Sequence, residues 1–315
     1  MSARVTVIGS CNTDMVVRLP HLPVPGETVL GGTFAMVQGG KGANQAVAAA
    51  RAGGTVAFIG RVGNDPFGAQ ARTALESERI NVEFLATDTG SPSGVALIVV
   101  DARGENAIAV APGANGNVTP EDVHRAHAVI ASSDILVAQL EVPVESIRAA
   151  ALIAASAGVP VVLNPAPALP LDDRLLHNVA IITPNEHEAA LLAGTVVRDD
   201  AAIVCAAEAL RRRGVATVIV TLGARGVYFT NGTHNEWIPS FQVKAVDTTA
   251  AGDVFTGAFA VALAEHQSPL EACRFACAAA AISVTRHGAQ PSAPHRADID
   301  ALLHTHPNLP DAKDH

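Results

Sequence analysis

The chain has 315 residues, of which 49% are apolar and only 3% aromatic, and a formal net charge of -9. This length allows one large α/β domain or two small ones, and a core poor in aromatics must be built from Ala, Val, Leu and Ile, which suits strands covered by close-packed helices. The negative charge argues against a nucleic-acid backbone as partner, and no apolar run reaches membrane-spanning length. The N-terminus begins a strand almost at once, without the regions of a secretory signal, so a cytoplasmic protein is expected.

In chain order, Arg4 to Ser10 reads as a first buried strand ending on Gly9. Asn12 and Asp14 follow it. At the carboxyl end of a parallel strand they are candidates to bind a hydroxylated ligand, or they form an Asx turn. Met15 to Leu19 and Glu27 to Val37 read as strands separated by a turn at Pro23-Val-Pro-Gly26. Ser93 to Val100 and Ala107 to Val110, joined at Asp101-Ala-Arg-Gly104, supply a second pair. Together they predict a small antiparallel appendage, a lid over a cleft, with one face free for a second subunit. The domain reading is one α/β domain over 1–305, lid strands within about 13–37 and 93–112, and a polar tail over 306–315.

Between the lid pairs lies Gln38-Gly-Gly-Lys-Gly-Ala-Asn-Gln45, leading into a helix expected over Ala46 to Ala52. Its glycines let backbone approach a ligand, and Lys41 and Asn44 offer a cation and an amide, although a purely structural turn explains the glycines equally well. It is not a P-loop, since Gly42 follows Lys41 and Ala35 stands where the motif's first glycine belongs. Only Gly9 follows the first strand, so the dinucleotide fingerprint is missing too.

From Thr55 onward strands and helices alternate. Strands are expected at Val56 to Ile59, Ile135 to Leu140, Val159 to Leu163, Ala180 to Ile182 and Val218 to Leu222. Helices are expected at Pro66 to Glu78, Pro120 to Ala131 and Val144 to Ala157. This rhythm predicts a parallel sheet with helices on both faces. Polar residues punctuate the strand ends: Glu141, Asn164-Pro-Ala-Pro167 and Thr183-Pro-Asn-Glu-His-Glu188. Asn185 and Glu188 share a face at a helix start, where they suit Mg²⁺ or its waters, or equally a capping box. Gly223-Ala-Arg-Gly226 turns into a hairpin strand at Val227 to Thr230 and brings backbone N–H groups, with Thr221 or Arg225, toward a phosphate.

Asp247-Thr-Thr-Ala-Ala-Gly-Asp253 then runs into a small-residue apolar helix. Backbone N–H groups at such a helix start face the positive end of the dipole and make an anion site. A carboxylate beside it is repelled by phosphate, so Asp253 either handles a proton or merely caps the helix. Helices over Pro269 to Thr285 and Arg296 to His304 follow. Cys273 and Cys277 share a helix face without further metal ligands nearby, and with Cys11 and Cys205 they make no disulfide framework.

The ordered set Gly39-Gly-Lys-Gly-Ala-Asn44, Asn185-Glu-His-Glu188, Thr221-Leu-Gly-Ala-Arg-Gly226 and Asp247 to Asp253 resembles the ribokinase-type carbohydrate kinases. Gly9-Ser-Cys-Asn-Thr-Asp14, Gln139-Leu-Glu141, Leu163-Asn-Pro-Ala-Pro167 and Val284-Thr-Arg-His-Gly-Ala-Gln-Pro-Ser292 extend the resemblance, which runs from about Val5 to about Leu303. It implies a three-layer α/β sandwich with a mostly parallel sheet and a β lid through which two subunits clasp. It also implies ATP as phosphoryl donor and D-ribose, at O5, as acceptor. Carried over by position, Asn12, Thr13, Asp14, Gly40, Lys41, Gly42, Ala43, Asn44 and Glu141 would hold the sugar. Asp253 would be the base, aided by the N–H groups of Ala250, Ala251 and Gly252. Asn185, Thr221, Leu222, Gly223, Ala224, Arg225 and Gly226, with Gly252 and Asp253, would serve the nucleotide phosphates, and Cys277 would lie near the adenine. A monovalent cation, usually K⁺, would sit at Asp247, Thr249, Ser283, Arg286, Gly288 and Ser292, mostly on backbone carbonyls, and Mg²⁺ at Asn185 and Glu188. Thr249 and Cys277 depart from the usual side chains at positions where side chains vary. Competing readings are a kinase for 2-deoxyribose, fructose or adenosine, or a non-catalytic sugar-binding protein of this fold.

Overall fold

The computed structural model describes residues 3–306, so the tail from 307 onward lies outside the described residues. Strand β1 (Arg4–Ile8) opens the main sheet, and the chain then leaves it for β2 (Asn12–Arg18) and β3 (Thr33–Gly39) before helix α1 (Lys41–Arg51) and β4 (Thr55–Gly63) return to it. Helix α2 (Pro66–Ser77) and β5 (Leu85–Asp88) follow, then β6 (Gly94–Val100) and β7 (Asn106–Ala111) leave the sheet again. Next come α3 (Pro120–Arg125), α4 (His127–Ala131), β8 (Ile135–Ala138), α5 (Val144–Ser156), β9 (Val161–Leu163), α6 (Asp173–Leu176) and β10 (Ile181–Ile182). The remainder is α7 (Glu186–Ala193), α8 (Asp200–Arg212), β11 (Thr217–Thr221), β12 (Val227–Thr230), β13 (Asn235–Ile238), α9 (Ala251–Ala264), α10 (Pro269–Ser283) and α11 (Arg296–Thr305).

The main sheet has nine strands in the order β13-β12-β11-β10-β9-β8-β1-β4-β5, parallel except at β12 and β13. Period-two alternation sorts its side chains into two cores. Val5, Val7, Ile135, Val137, Ile219 and Phe229 join the helices α1, α9 and α10 on one face, whereas Ile8, Leu136, Val218, Val220 and Tyr228 join α3 to α8 on the other. Helices on both faces give the expected three-layer sandwich. Helix α9 is apolar all round and almost wholly buried, which places it inside its layer, against α1 and α10. A Cβ on Gly257 would meet the Gln45 carbonyl oxygen at 2.5 Å, so the missing side chain is what lets α9 and α1 approach this closely.

The second sheet, β3-β2-β6-β7, is the lid. Its two hairpin-like pairs are antiparallel as expected, but β2 and β6 join them in parallel. Other boundaries differ from the sequence reading for local reasons. The strand expected from Glu27 starts only at Thr33, because Gly31 takes a φ of 91° just before it. Helix α1 starts at Lys41 and not Ala46, since Gly42 packs its bare Cα on the Gly9 backbone and there helps the helix. The helix expected over 120–131 breaks at Ala126. Strands β5 and β13 and helices α6 and α8 were not expected. No helix among the described residues is long and apolar enough to cross a membrane.

Candidate active site

The carboxyl ends of the parallel strands and the lid bound two cavities. One, of about 220 Å³, is lined by Thr221, Gly223, Ala224 and Gly226 after β11, by Ala251 and Gly252 at the start of α9, and by Cys277 and Ala281 on α10. The other, of about 570 Å³, lies under the lid between Asp14, Val37 and Ile98 and the turn Asp247, Thr248, Thr249 with Gly288. Ala245 and Thr248 line both, so the stretch from 245 to 252 separates them and reaches into each.

At this stretch Ala250 takes a φ of 60°, unusual for a residue other than glycine, and α9 begins without a side-chain cap. Among the described residues nothing accepts a hydrogen bond from the N–H of Gly252 or Asp253, so two donors remain at the positive end of the helix dipole. Asp253 is therefore no helix cap. Its carboxylate is buried and turned to α1, where Asn44 Nδ2 donates to Oδ2 at 3.0 Å and Gln45 Nε2 donates to Oδ1 at 2.9 Å. Gly257, one turn along α9, makes that meeting of helices close enough. Burial raises the proton affinity of Asp253, with Lys41 and the two amides opposing and Glu141 adding to it, and the net direction is upward.

The sugar-side candidates converge on the same point. Glu141 Oε2 accepts from Lys41 N at 3.0 Å and from Ser10 Oγ, which ties the start of α1 to the ends of β1 and β8. Lys41 is mostly buried. Burial lowers its pKa, but the fields of Asp253, Glu141, Glu188 and Asp14 outweigh this and raise it overall, so it stays an ammonium. Asp14 lies on the lid strand β2 and not in the loop after β1; desolvation, with Glu141 and Asp253 nearby, pushes its carboxyl up to about 7. Asn12, also on β2, accepts at Oδ1 from Asn115 Nδ2 at 2.7 Å. Gly40 makes the turn between β3 and α1 at a φ of 87°. Ala43 is packed in the core, and Thr13 keeps a buried hydroxyl without a partner among the described residues.

Several of the expected site side chains have partners within the chain. The Arg225 guanidinium is turned away from the cavity to ion pairs with Asp200 and Glu186, each at 2.7 Å, and Leu222 is a core residue, so this turn offers backbone rather than a cation. Asn185 and Glu188 form a complete capping box on α7, Asn185 N donating to Glu188 Oε2 at 2.9 Å and Glu188 N to Asn185 Oδ1 at 2.8 Å. Asn185 also bridges to Thr221, which brings it beside the smaller cavity. At the expected cation site, Asp247 accepts from Thr249 N at 2.9 Å and Gly288 N at 3.0 Å. Burial acts to raise the Asp247 pKa, and these bonds outweigh it, leaving it lowered. Arg286 brings no charge there, being paired with Asp298, and the hydroxyls of Ser283 and Ser292 bond their own helix turns. Cys273 and Cys277 are buried thiols, with burial pushing Cys277 up to about 12.

Sequence reasoning missed Gln45, which only the α1–α9 crossing reveals, and Asn115, which is 104 residues from Cys11 yet accepts its N–H at 2.9 Å. The apolar lining from Phe241, Val243, Ala280 and Val284 was missed as well, since no polar signature marks it.

Comparison with known proteins agrees with this geometry. The chain is 47% identical over 303 residues to the ribokinase of Haemophilus influenzae (96% of this chain, 99% of the relative). It is 38% identical to the deoxyribokinase of Salmonella typhi (92% and 95%). It is also similar to the structure of Arabidopsis thaliana ribokinase complexed with ribose and ATP, at a TM-score of 0.88 and 32% identity (96% and 99%). The model of the pfkB family carbohydrate kinases matches residues 2–296, and with nearly the whole fold and both cavities inside that span, the chain belongs to this family.

Proposed function

We propose that the protein transfers the γ-phosphoryl group of ATP to O5 of D-ribose. The observation that carries this reading is the buried Asp253 carboxylate beside two unpartnered N–H groups, at the turn that separates a cavity lined by small and apolar residues from a larger one under the lid that carries Asp14, Asp247 and Thr249. ATP would occupy the smaller cavity, its phosphates on the backbone of Gly223 to Gly226 and its base against Cys277 and Phe255. Ribose would lie under the lid, its hydroxyls held by Asn12, Asp14, Lys41, Asn44 and Glu141. Asp253 accepts the proton of the primary hydroxyl as that oxygen attacks phosphorus in line, while the N–H groups of Gly252 and Asp253 stabilise charge on the transferring group. The raised proton affinity of Asp253 makes it a better base than an ordinary aspartate. Closure of the lid excludes water as a competing nucleophile.

The residues around Asp247 suit a monovalent cation. Their one carboxylate already takes two N–H bonds, which leaves neutral carbonyl and hydroxyl oxygens as further ligands. Such an ion would hold the 247–249 turn against the 288 turn. The capping box leaves Glu188 to meet Mg²⁺ through water, where the metal would offset triphosphate charge. No group of three or more His, Cys, Asp or Glu among the described residues makes a metal cluster of its own. On the lid's outer face Phe34 (62% exposed), Met36 (45%) and Leu97 (55%) form an apolar surface suited to a second subunit. A reaction that consumes ATP suits the cytoplasm.

The test is ATP consumption over a panel of D-ribose, 2-deoxyribose, fructose and adenosine, run beside Asp253→Asn. Ribose should give the highest kcat/KM. Asp253→Asn should bind both substrates and lose at least about a hundredfold in kcat, the scale of a lost general base. Preference for 2-deoxyribose, the substrate named by one relative, would reassign the acceptor, and a variant that keeps most of its kcat would remove Asp253 from the base role.

A further inference from the structure

Behind Asp253 four side-chain amides form a connected set whose polarity is set by the backbone. The Thr183 carbonyl oxygen can only accept, so Asn164 gives it Nδ2 at 3.0 Å and keeps Oδ1 as an acceptor for Gln45 Nε2 at 3.1 Å. Gln45 must then present its amide nitrogen to this side, where the same nitrogen donates to Asp253 Oδ1, and its oxygen to the other, where it accepts from Gln139 Nε2 at 2.6 Å. Asn44 supplies the fourth amide, on Oδ2. An amide turned over would aim an oxygen at the carboxylate and break three of these bonds. The arrangement is kept although it leaves Gln139 Oε1 and Asn44 Oδ1 buried without partners among the described residues.

We propose that Gln45 is a positioning residue for phosphoryl transfer, holding the Asp253 carboxylate in its reactive orientation through a donor whose direction Asn164 and Gln139 enforce. This rests on the reading of Asp253 as the base. The charged groups facing Asp253 are Lys41 on α1, Glu141 after β8, Glu188 on α7 and Asp14 on β2. Burial and the three carboxylates favour its protonated form, whereas Lys41, Asn44 and Gln45 favour the ionised one. Removing the Gln45 donor therefore both frees the carboxylate and raises its proton affinity, and because Gln45 is fully buried with its amide bonded to Asn164, Asp253 and Gln139, the change removes no group offered to a ligand.

The experiment uses Gln45→Met, which keeps length and volume, and Gln139→Met, which leaves the Gln45 oxygen without its donor and lets the amide turn. For Gln45→Met the expected result is a fall of about tenfold or more in kcat, with KM for ribose and ATP within about threefold and the acid limb of the kcat–pH profile moved to higher pH. Gln139→Met should move the same limb in the same direction with a smaller loss. Wild-type kcat and acid limb in Gln45→Met, with melting and ATP binding showing it folded, would overturn the proposal. If Gln45→Met does not fold, a wild-type profile in Gln139→Met does so instead. Asp253→Asn assayed in parallel keeps the two ideas apart: an inactive Asp253→Asn beside an unaltered Gln45→Met sinks only the positioning role, whereas an active Asp253→Asn sinks the base assignment.

Discussion

Asp14 has a cost that is measurable without any substrate. Its carboxylate accepts no hydrogen bond from the described residues and faces the cavity under the lid, with Glu141 and Asp253 close enough to repel it. Its pKa stands at about 7 in the folded protein against a reference of 3.8. A group with a raised folded pKa binds its proton more tightly when folded, so its contribution to stability is fully present below the unfolded pKa and is lost as pH rises through the folded one. Three units correspond to about 4 kcal/mol at most, of which roughly 2.5 would develop between pH 5 and pH 8. Partial solvent access and the counter-charge of Lys41 bring the realistic figure down to about 1 kcal/mol, or roughly 1.5 °C in melting temperature for a protein of this size. Asp14→Asn should therefore melt above wild type at pH 8 by about that margin more than it does at pH 5, while its KM for ribose rises. The assay is thermal unfolding of both proteins at several pH values in the absence of ligands. A melting difference that does not change between pH 5 and pH 8, or that shrinks as pH rises, would refute the reasoning, because no other feature of the substitution is tied to that window.

Two further outcomes follow from close packing. At Gly226, φ is 95° and a Cβ would come within 2.1 Å of the Ile238 carbonyl oxygen, so Gly226→Ala should shift the turn after β11, raise KM for ATP severalfold and lower stability by about 1–3 kcal/mol, read by kinetics and thermal melting. If the lid face carries the proposed dimer, wild type should run as a dimer in light scattering and Leu97→Asp as a folded monomer; a monomeric wild type removes the dimer, and a variant that stays dimeric places the contact elsewhere.

How much was legible follows from the range over which each signal acts. The strand-helix alternation, the hairpin at 223–226 and the small-residue start of α9 are local, set by side-chain period and glycine placement, and they appear in the structure within a few residues of where the sequence puts them. Strand β5 and helix α8 left weaker traces, a short mixed strand and an Ala-rich stripe. The start of α1 was misplaced because glycine counts against a helix locally, whereas here Gly42 is needed for contact with Gly9.

By itself the sequence determined the α/β class, the candidate residues and the glycine-containing turn before α9, since chain order and residue type are sufficient for these. Only the tertiary structure decided which partners each group has. Asp253 is free of any capping duty because α9 crosses α1 at Gly257; Arg225 is spent on Asp200 and Glu186; Asn185 and Glu188 cap each other. The polarity of the amides behind Asp253 could not be read along the chain at all, because the Thr183 carbonyl that fixes it reaches Gln45 only through Asn164, across three elements that meet in space.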